Sequence, residues 1–164
     1  MSTQDIYNYR RVNDQLITGG QPNAEQIQSA ADEGVRTVIN LATLDRPSSL
    51  PNDPGHLDEA ELVRSLGMTY YHIPVEWENP TASDFESFEK IFQQVSGEKT
   101  LLHCAANFRA TAFYSLYALK HLGWSEAQAA EFRASIWQGH TYPIWAKFIA
   151  AMTQVTSVKT QIKG

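Results

Sequence analysis

Apolar positions along this chain alternate between short continuous runs and longer stretches spaced three and four apart. Leu16-Ile17-Thr18 is a short apolar run stopped by Gly19-Gly20. Val35 to Leu41, Met68 to Ile73 and Lys99 to His103 are short and rich in β-branched or apolar residues, as buried strands are. Between the runs lie helical periods. Ile27, Ala30 and Ala31 line one face of a helix over Ala24–Glu33, with Asn23 as its cap and Gly34 as its stop. His56–Leu66 reads as a second helix, ended by Gly67. Phe85, Phe88, Ile91, Phe92 and Val95 mark a third, opened by a capping box at Ser83 or by Thr81. Arg109–Leu122 reads as an apolar helix, the most buried of the set. Ser125-Glu126-Ala127-Gln128 opens another, and Pro143–Val155 the last, with Trp145, Phe148, Ile149 and Met152 as its core face. Residues 1–15 are polar, with Tyr7 and Tyr9 as candidate anchors, and residues 42–55 read as a long surface loop.

Strands alternating with helices predict an α/β fold: a small, mostly parallel sheet flanked by helices on both faces, with a helical C-terminal third. The expected organisation is one domain over residues 1–164. Ligands in such sheets bind outside the carboxyl ends of the strands. Cys104, Leu41–Gly55 and Val75–Pro80 all fall there.

Composition narrows the function classes. Net charge is −5, and Arg10-Arg11 is the one adjacent basic pair, so no nucleic-acid partner is expected. Cys104 is the single cysteine, which excludes an intrachain disulfide, a cysteine zinc site and a resolving-thiol couple within the chain. His56, His72, His121 and His140 lack metal-ligand spacing, so neither a metal nor another cofactor is expected. The polar start resembles no signal peptide and no run is long enough to span a bilayer, so a cytoplasmic protein without a membrane partner is expected. Oligomeric state is not legible from the pattern.

The chemistry concentrates in Leu101-Leu102-His103-Cys104-Ala105-Ala106-Asn107-Phe108-Arg109-Ala110-Thr111. A strand end, a short loop and a helix start place a thiol where free amides and the macrodipole favour negative charge. Arg109 adds a full positive charge and can grip two oxygens at once. Amides of Ala105, Ala106, Asn107, Phe108 and Arg109 can converge into an anion-binding nest. The thiolate form is the nucleophile. A buried structural thiol is the competing reading of Cys104.

His103-Cys104 followed by Arg109 resembles the signature loop of cysteine-dependent protein tyrosine and dual-specificity phosphatases. The ordered segments Leu16–Pro22, Gly34–Leu41 and Tyr71-His72-Ile73-Pro74-Val75 are similar to a bacterial branch of that superfamily, which includes the phosphatase-like domain fused to β-lactamase-like hydrolases. The resemblance covers roughly residues 12–120. It implies a phosphomonoester hydrolase working through a thiophosphoryl-enzyme intermediate, on a phosphorylated small molecule or a phosphoprotein. It implies Cys104 as nucleophile, Arg109 and the loop amides as phosphate ligands, and His103 and Thr111 in support.

Two departures from that family pattern stand out. Four residues separate Cys104 from Arg109 where the family has five, and Asn107 stands nearest the usual mid-loop glycine. Asn tolerates positive φ better than most residues and can substitute. Trp77 occupies the position of the usual acid. Glu76 and Asp84 are the leading candidates for general acid, ahead of Glu78, and Asp84 also fits a helix N-terminal charge. Trp77 reads equally as a pocket wall or as packing. The short loop also resembles that of rhodanese-like sulfurtransferases, and it suits a catalytically weak anion-binding relative as well.

Overall fold

The computed structural model describes residues 2–43 and 59–163. Most of the expected 42–55 loop, and the start of the expected His56–Leu66 helix, lie outside the described residues. The strands are β1 (Arg10–Asn13), β2 (Leu16–Gly19), β3 (Thr37–Asn40), β4 (Thr69–His72) and β5 (Thr100–His103). The helices are α1 (Ala24–Asp32), α2 (Glu59–Ser65), α3 (Ala82–Gln94), α4 (Phe108–His121), α5 (Glu126–Ala134) and α6 (Pro143–Lys163). Short 3-10 turns sit at Thr3–Asp5 and Gly139–Thr141.

The sheet order is β1-β2-β5-β3-β4. β1 runs antiparallel to β2, and every other pairing is parallel. β5 is therefore interior, with Leu102 paired to Thr18 on one side and Ile39 on the other. Alternation along the strands divides the core. Leu16, Ile39 and Leu102 face one side, where Phe85 and Phe88 of α3, Phe113 and Leu116 of α4, and Trp145 of α6 pack on them. Ile17, Val38 and Leu101 face the other, against Ile27 and Ala30 of α1 and Val63 of α2. Helices on both faces explain why the parallel strands read as continuous apolar runs rather than alternating ones. The expected fold class is the one observed.

Three local differences from the sequence expectation have physical causes. β1 forms from polar residues because it is an edge strand with mostly exposed side chains, held by backbone pairing. α3 is capped by Thr81 and not Ser83: Thr81 Oγ1 accepts from the Asp84 amide at 3.0 Å, and the Asp84 carboxylate accepts from the Thr81 amide at 3.1 Å. α6 continues past Val155 to Lys163. Among the described residues, no helix is long and apolar enough to cross a membrane.

Candidate active site

The loop after β5 is shaped from outside by two distant segments. Cys104 N donates to Gly19 O at 3.3 Å, and Gln21 N donates to Ala105 O at 2.9 Å. Gly20 and Ala106 form an isolated bridge between these pairs. The approach is too close for a side chain: a Cβ on Gly20 would lie 2.7 Å from Ala105 O and 3.0 Å from Tyr7 O. Asn8 Nδ2 donates to Ala106 O at 3.0 Å. The loop carbonyls of Ala105 and Ala106 are thus taken by protein donors. Because C=O and N–H point oppositely in a trans peptide, the Ala106 amide turns the other way from Gln21.

Asn107 makes the turn into α4. Its φ is 70°, the left-handed region that Asn enters more readily than most residues. Its side chain is fully buried, and Nδ2 donates to Asn8 O at 2.7 Å and to Thr18 Oγ1 at 3.0 Å. Its Oδ1 has no partner among the described residues. Thr111 fixes the exit: its hydroxyl donates to Asn107 O at 2.7 Å, and its oxygen accepts from Trp137 Nε1 at 3.1 Å.

Arg109, one residue into α4, is 7% exposed, and its Nη1 donates to Val75 O at 2.7 Å. Val75 follows β4 and opens the segment that carries Glu76, Trp77 and Glu78. One hydrogen bond therefore ties the Arg109 side chain to the segment with the candidate acids.

These elements enclose a cleft of about 490 Å³, lined by Thr43, Glu76, Trp77, Glu78, Cys104, Ala105, Ala106, Phe108, Arg109 and Tyr142. Cys104 is 1% exposed, so it lies deep in the wall of the cleft. The mouth is aromatic. Phe108 stacks on Trp137 with ring centroids 4.8 Å apart. Trp77 meets Phe108, Trp137, Tyr142 and Trp145, and its carbonyl accepts from Trp145 Nε1 at 2.7 Å. Trp77 is thus both a wall of the cleft and a packing residue. A larger groove of about 790 Å³ between α5 and α6 carries Arg133 and Glu126 but no nucleophile.

Behind the loop, His103 is fully buried. Its Nε2 lies 2.7 Å from Glu59 Oε2, and its Nδ1 lies 3.2 Å from Cys104 O. Gln21 Nε2 donates to Glu59 Oε1 at 2.7 Å. Burial opposes ionisation of Glu59, but His103 and hydrogen bonds from His103, Gln21 and Tyr70 outweigh it and hold the carboxyl below its usual range.

The fold thus brings Cys104, Ala105, Ala106, Phe108, Arg109, Glu76 and Trp77 to one cleft, with Glu78. Asn107, His103 and Thr111 support the loop without lining that cleft. Asp84 does not line it either, and its carboxylate closes the α3 capping box. Thr43, Tyr142, Glu59, Gln21, Thr18 and Asn8 escaped the sequence reading. Gly19-Gly20 was the one local signal near them, since adjacent glycines mark a close backbone approach. Among the described residues, no cluster of His, Cys, Asp and Glu could hold a metal ion.

Comparison with known proteins bears on the family and the fold. The profile of the beta-lactamase hydrolase-like protein, phosphatase-like domain, matches residues 8–120. Beta-lactamase hydrolase-like proteins from two Xylella fastidiosa strains are 33% identical over 106 residues, which is 64% of this chain and 23% of theirs. The chain therefore spans under a quarter of the length of these curated relatives. The crystal structure of a DUF442 protein from Shewanella putrefaciens CN-32 superposes with TM-score 0.78 at 34% identity, covering 92% of both chains. A P. aeruginosa TpbA structure in complex with pTyr shares the fold, with TM-score 0.68 at 14% identity over 92% of this chain and 90% of that one. The profile covers well over half of the residues, in the order that the resemblance implied, and the chain belongs to the family of beta-lactamase hydrolase-like phosphatase-like domains.

Proposed function

We propose that this domain is a cysteine-dependent phosphatase that hydrolyses a phosphomonoester through a thiophosphoryl-enzyme intermediate. The observation that carries the reading is one cleft lined by Cys104, Arg109 and two carboxylates, closed by a loop whose carbonyls are bonded outward. Cys104 Sγ attacks phosphorus as the ester P–O bond breaks, and the departing oxygen takes a proton from a carboxylic acid. Glu76 is the acid assigned here, since Asp84 is occupied at the helix cap. Water then attacks phosphorus, the P–S bond breaks, and the carboxylate takes the proton from water. Arg109, the Ala106 amide and the first-turn amides of α4 hold the equatorial oxygens, where transition-state charge gathers. No step requires a metal. The substrate is a phosphorylated small molecule or a phosphoprotein. The aromatic mouth and the pTyr bound by TpbA favour an aryl phosphate as the first probe.

The test is phosphate release from an aryl phosphate by wild type and by Cys104→Ser. Loss of turnover in the variant is expected, and equal rates would reject the reading.

One observation favours a second reading. The four-residue spacing between Cys104 and Arg109 suits a smaller nest, as in a rhodanese-like sulfurtransferase that carries a persulfide on Cys104. Transfer of sulfur from thiosulfate to cyanide, dependent on Cys104 and unaccompanied by phosphate release, would replace the phosphatase assignment. Tight oxyanion binding without turnover in either assay would leave an anion-binding relative.

A further inference from the structure

We propose that the groove between α5 and α6 is a second ligand site, which takes a monocarboxylate with an aliphatic chain and holds its head group on Arg133. The site lies apart from the Cys104 cleft and does not depend on the chemistry assigned there.

α5 and α6 both pack on α4, and Leu119 of α4 lines the groove between them. Its volume of about 790 Å³ falls within the range of small-molecule pockets. Leu119, Ala129, Ala130, Trp137, Ala146 and Ile149 make much of the lining apolar. Such walls gain by covering a hydrocarbon chain in place of water.

Arg133 supplies the polar end. Its Nη1 donates to Ser115 Oγ at 2.9 Å, and the fully buried Ser115 hydroxyl donates in turn to Ala112 O at 2.8 Å. The guanidinium is therefore anchored from α4. An arginine has five N–H donors, and the Ser115 bond is the one that Arg133 makes among the described residues. None of the salt bridges among those residues includes it. Burial pushes this guanidinium down from its ordinary value. A bound anion offsets that penalty, and a carboxylate matches the planar fork with two parallel hydrogen bonds. Glu126 lines the same groove, about 10 Å from Arg133 along the helix axis. With one cation and one anion in the lining, a single negative charge suits the groove better than a phosphate dianion. The same distance along α5 leaves room for a medium-length acyl chain.

The probe is decanoate, titrated into the intact 164-residue chain and followed by calorimetry and by the indole N–H resonances of 15N-labelled protein. One equivalent should bind saturably and shift the indole N–H of Trp137, whose ring lines the groove. Arg133→Gln should weaken binding about tenfold or more. Ala150→Trp, which fills the groove and leaves Arg133 in place, should abolish it. Decanol should bind at least about tenfold more weakly than decanoate. Absence of saturable binding, or equal affinity for the alcohol, would overturn the proposal. So would decanoate binding that neither variant changes, which would put the ligand in the Cys104 cleft. A dimer in sedimentation that Ala150→Trp dissociates would also overturn it, by giving the groove to a second copy of the chain. If Arg133→Gln loses the wild-type circular dichroism, Ala150→Trp and the comparison with decanol decide. No readout involves phosphate release, so the phosphatase assignment stands or falls separately.

Discussion

Asn107 allows the backbone and side-chain contributions to the loop to be separated in one pair of variants. Its φ of 70° and its two donated hydrogen bonds, to Asn8 O and Thr18 Oγ1, are independent demands on the residue. Asn107→Gly keeps the left-handed turn and removes the bonds. Two neutral hydrogen bonds contribute about 1–3 kcal/mol together. Removing the unpartnered Oδ1 returns part of that, so a loss of about 1–2 kcal/mol is expected. Asn107→Ala removes the same bonds and also forces a Cβ into the left-handed region, at about 1–2 kcal/mol. The larger unfolded-state entropy of glycine offsets about 0.4–1 kcal/mol of that difference. Alanine should therefore be the less stable of the two, by about 1 kcal/mol. Urea unfolding read by tryptophan fluorescence measures this, with a shift of about 2–4 °C in Tm per kcal/mol as a check. Alanine as stable as glycine would refute the role given to positive φ. Glycine as stable as wild type would refute the role given to the bonds.

Three further outcomes test the site and its frame. Arg109→Lys should lower kcat/KM for an aryl phosphate by about 10²–10³-fold, since lysine cannot make the planar two-oxygen grip; a drop under about threefold would sink that assignment. Asp84→Asn should lose about 0.5–1 kcal/mol at the α3 cap and leave turnover unchanged, whereas Glu76→Gln should cut turnover of a poor leaving group by about 10²–10⁴-fold; the reverse pattern would move the acid to Asp84. The folded Glu59 carboxyl lies below its ordinary value of 4.5, so the unfolded chain binds the extra proton first. Its stabilisation is thus present above the ordinary value and lost as pH falls through the folded value, and urea unfolding across acid pH should show a slope that Glu59→Gln reduces, the remainder coming from other carboxylates such as Glu89.

The sequence reading succeeded where structure is set by neighbours along the chain. β3 and β5 are covered on both faces, so their apolar runs were visible, and α3 shows its Phe85, Phe88 and Phe92 period because one face meets α4. The Cys104–Arg109 pair was legible because the loop is local. β1 was not, since its exposed side chains carry no apolar signal and its pairing is a backbone matter. Glu59, Asn8 and Thr18 reach the loop across 44, 99 and 89 positions, through contacts that no local window contains. The α3 cap turned on whether the helix began before or after Ser83. Both Thr81 and Ser83 offer a hydroxyl, and it is Thr81 that closes a capping box with Asp84.

The Asn8–Ala106 hydrogen bond joins positions 98 apart, and the Asn107–Asn8 bond returns along the same path. The turn after β5 is consequently held by the closure of a long stretch of chain. A ribosome releasing this chain exposes residues 6–21 well before their partners at 104–107, and the entropy of closing so long a loop is offset by the same β2–β5 ladder that sets Gly19 against His103. A substitution that weakens that ladder is therefore expected to loosen the Cys104–Arg109 loop along with the sheet.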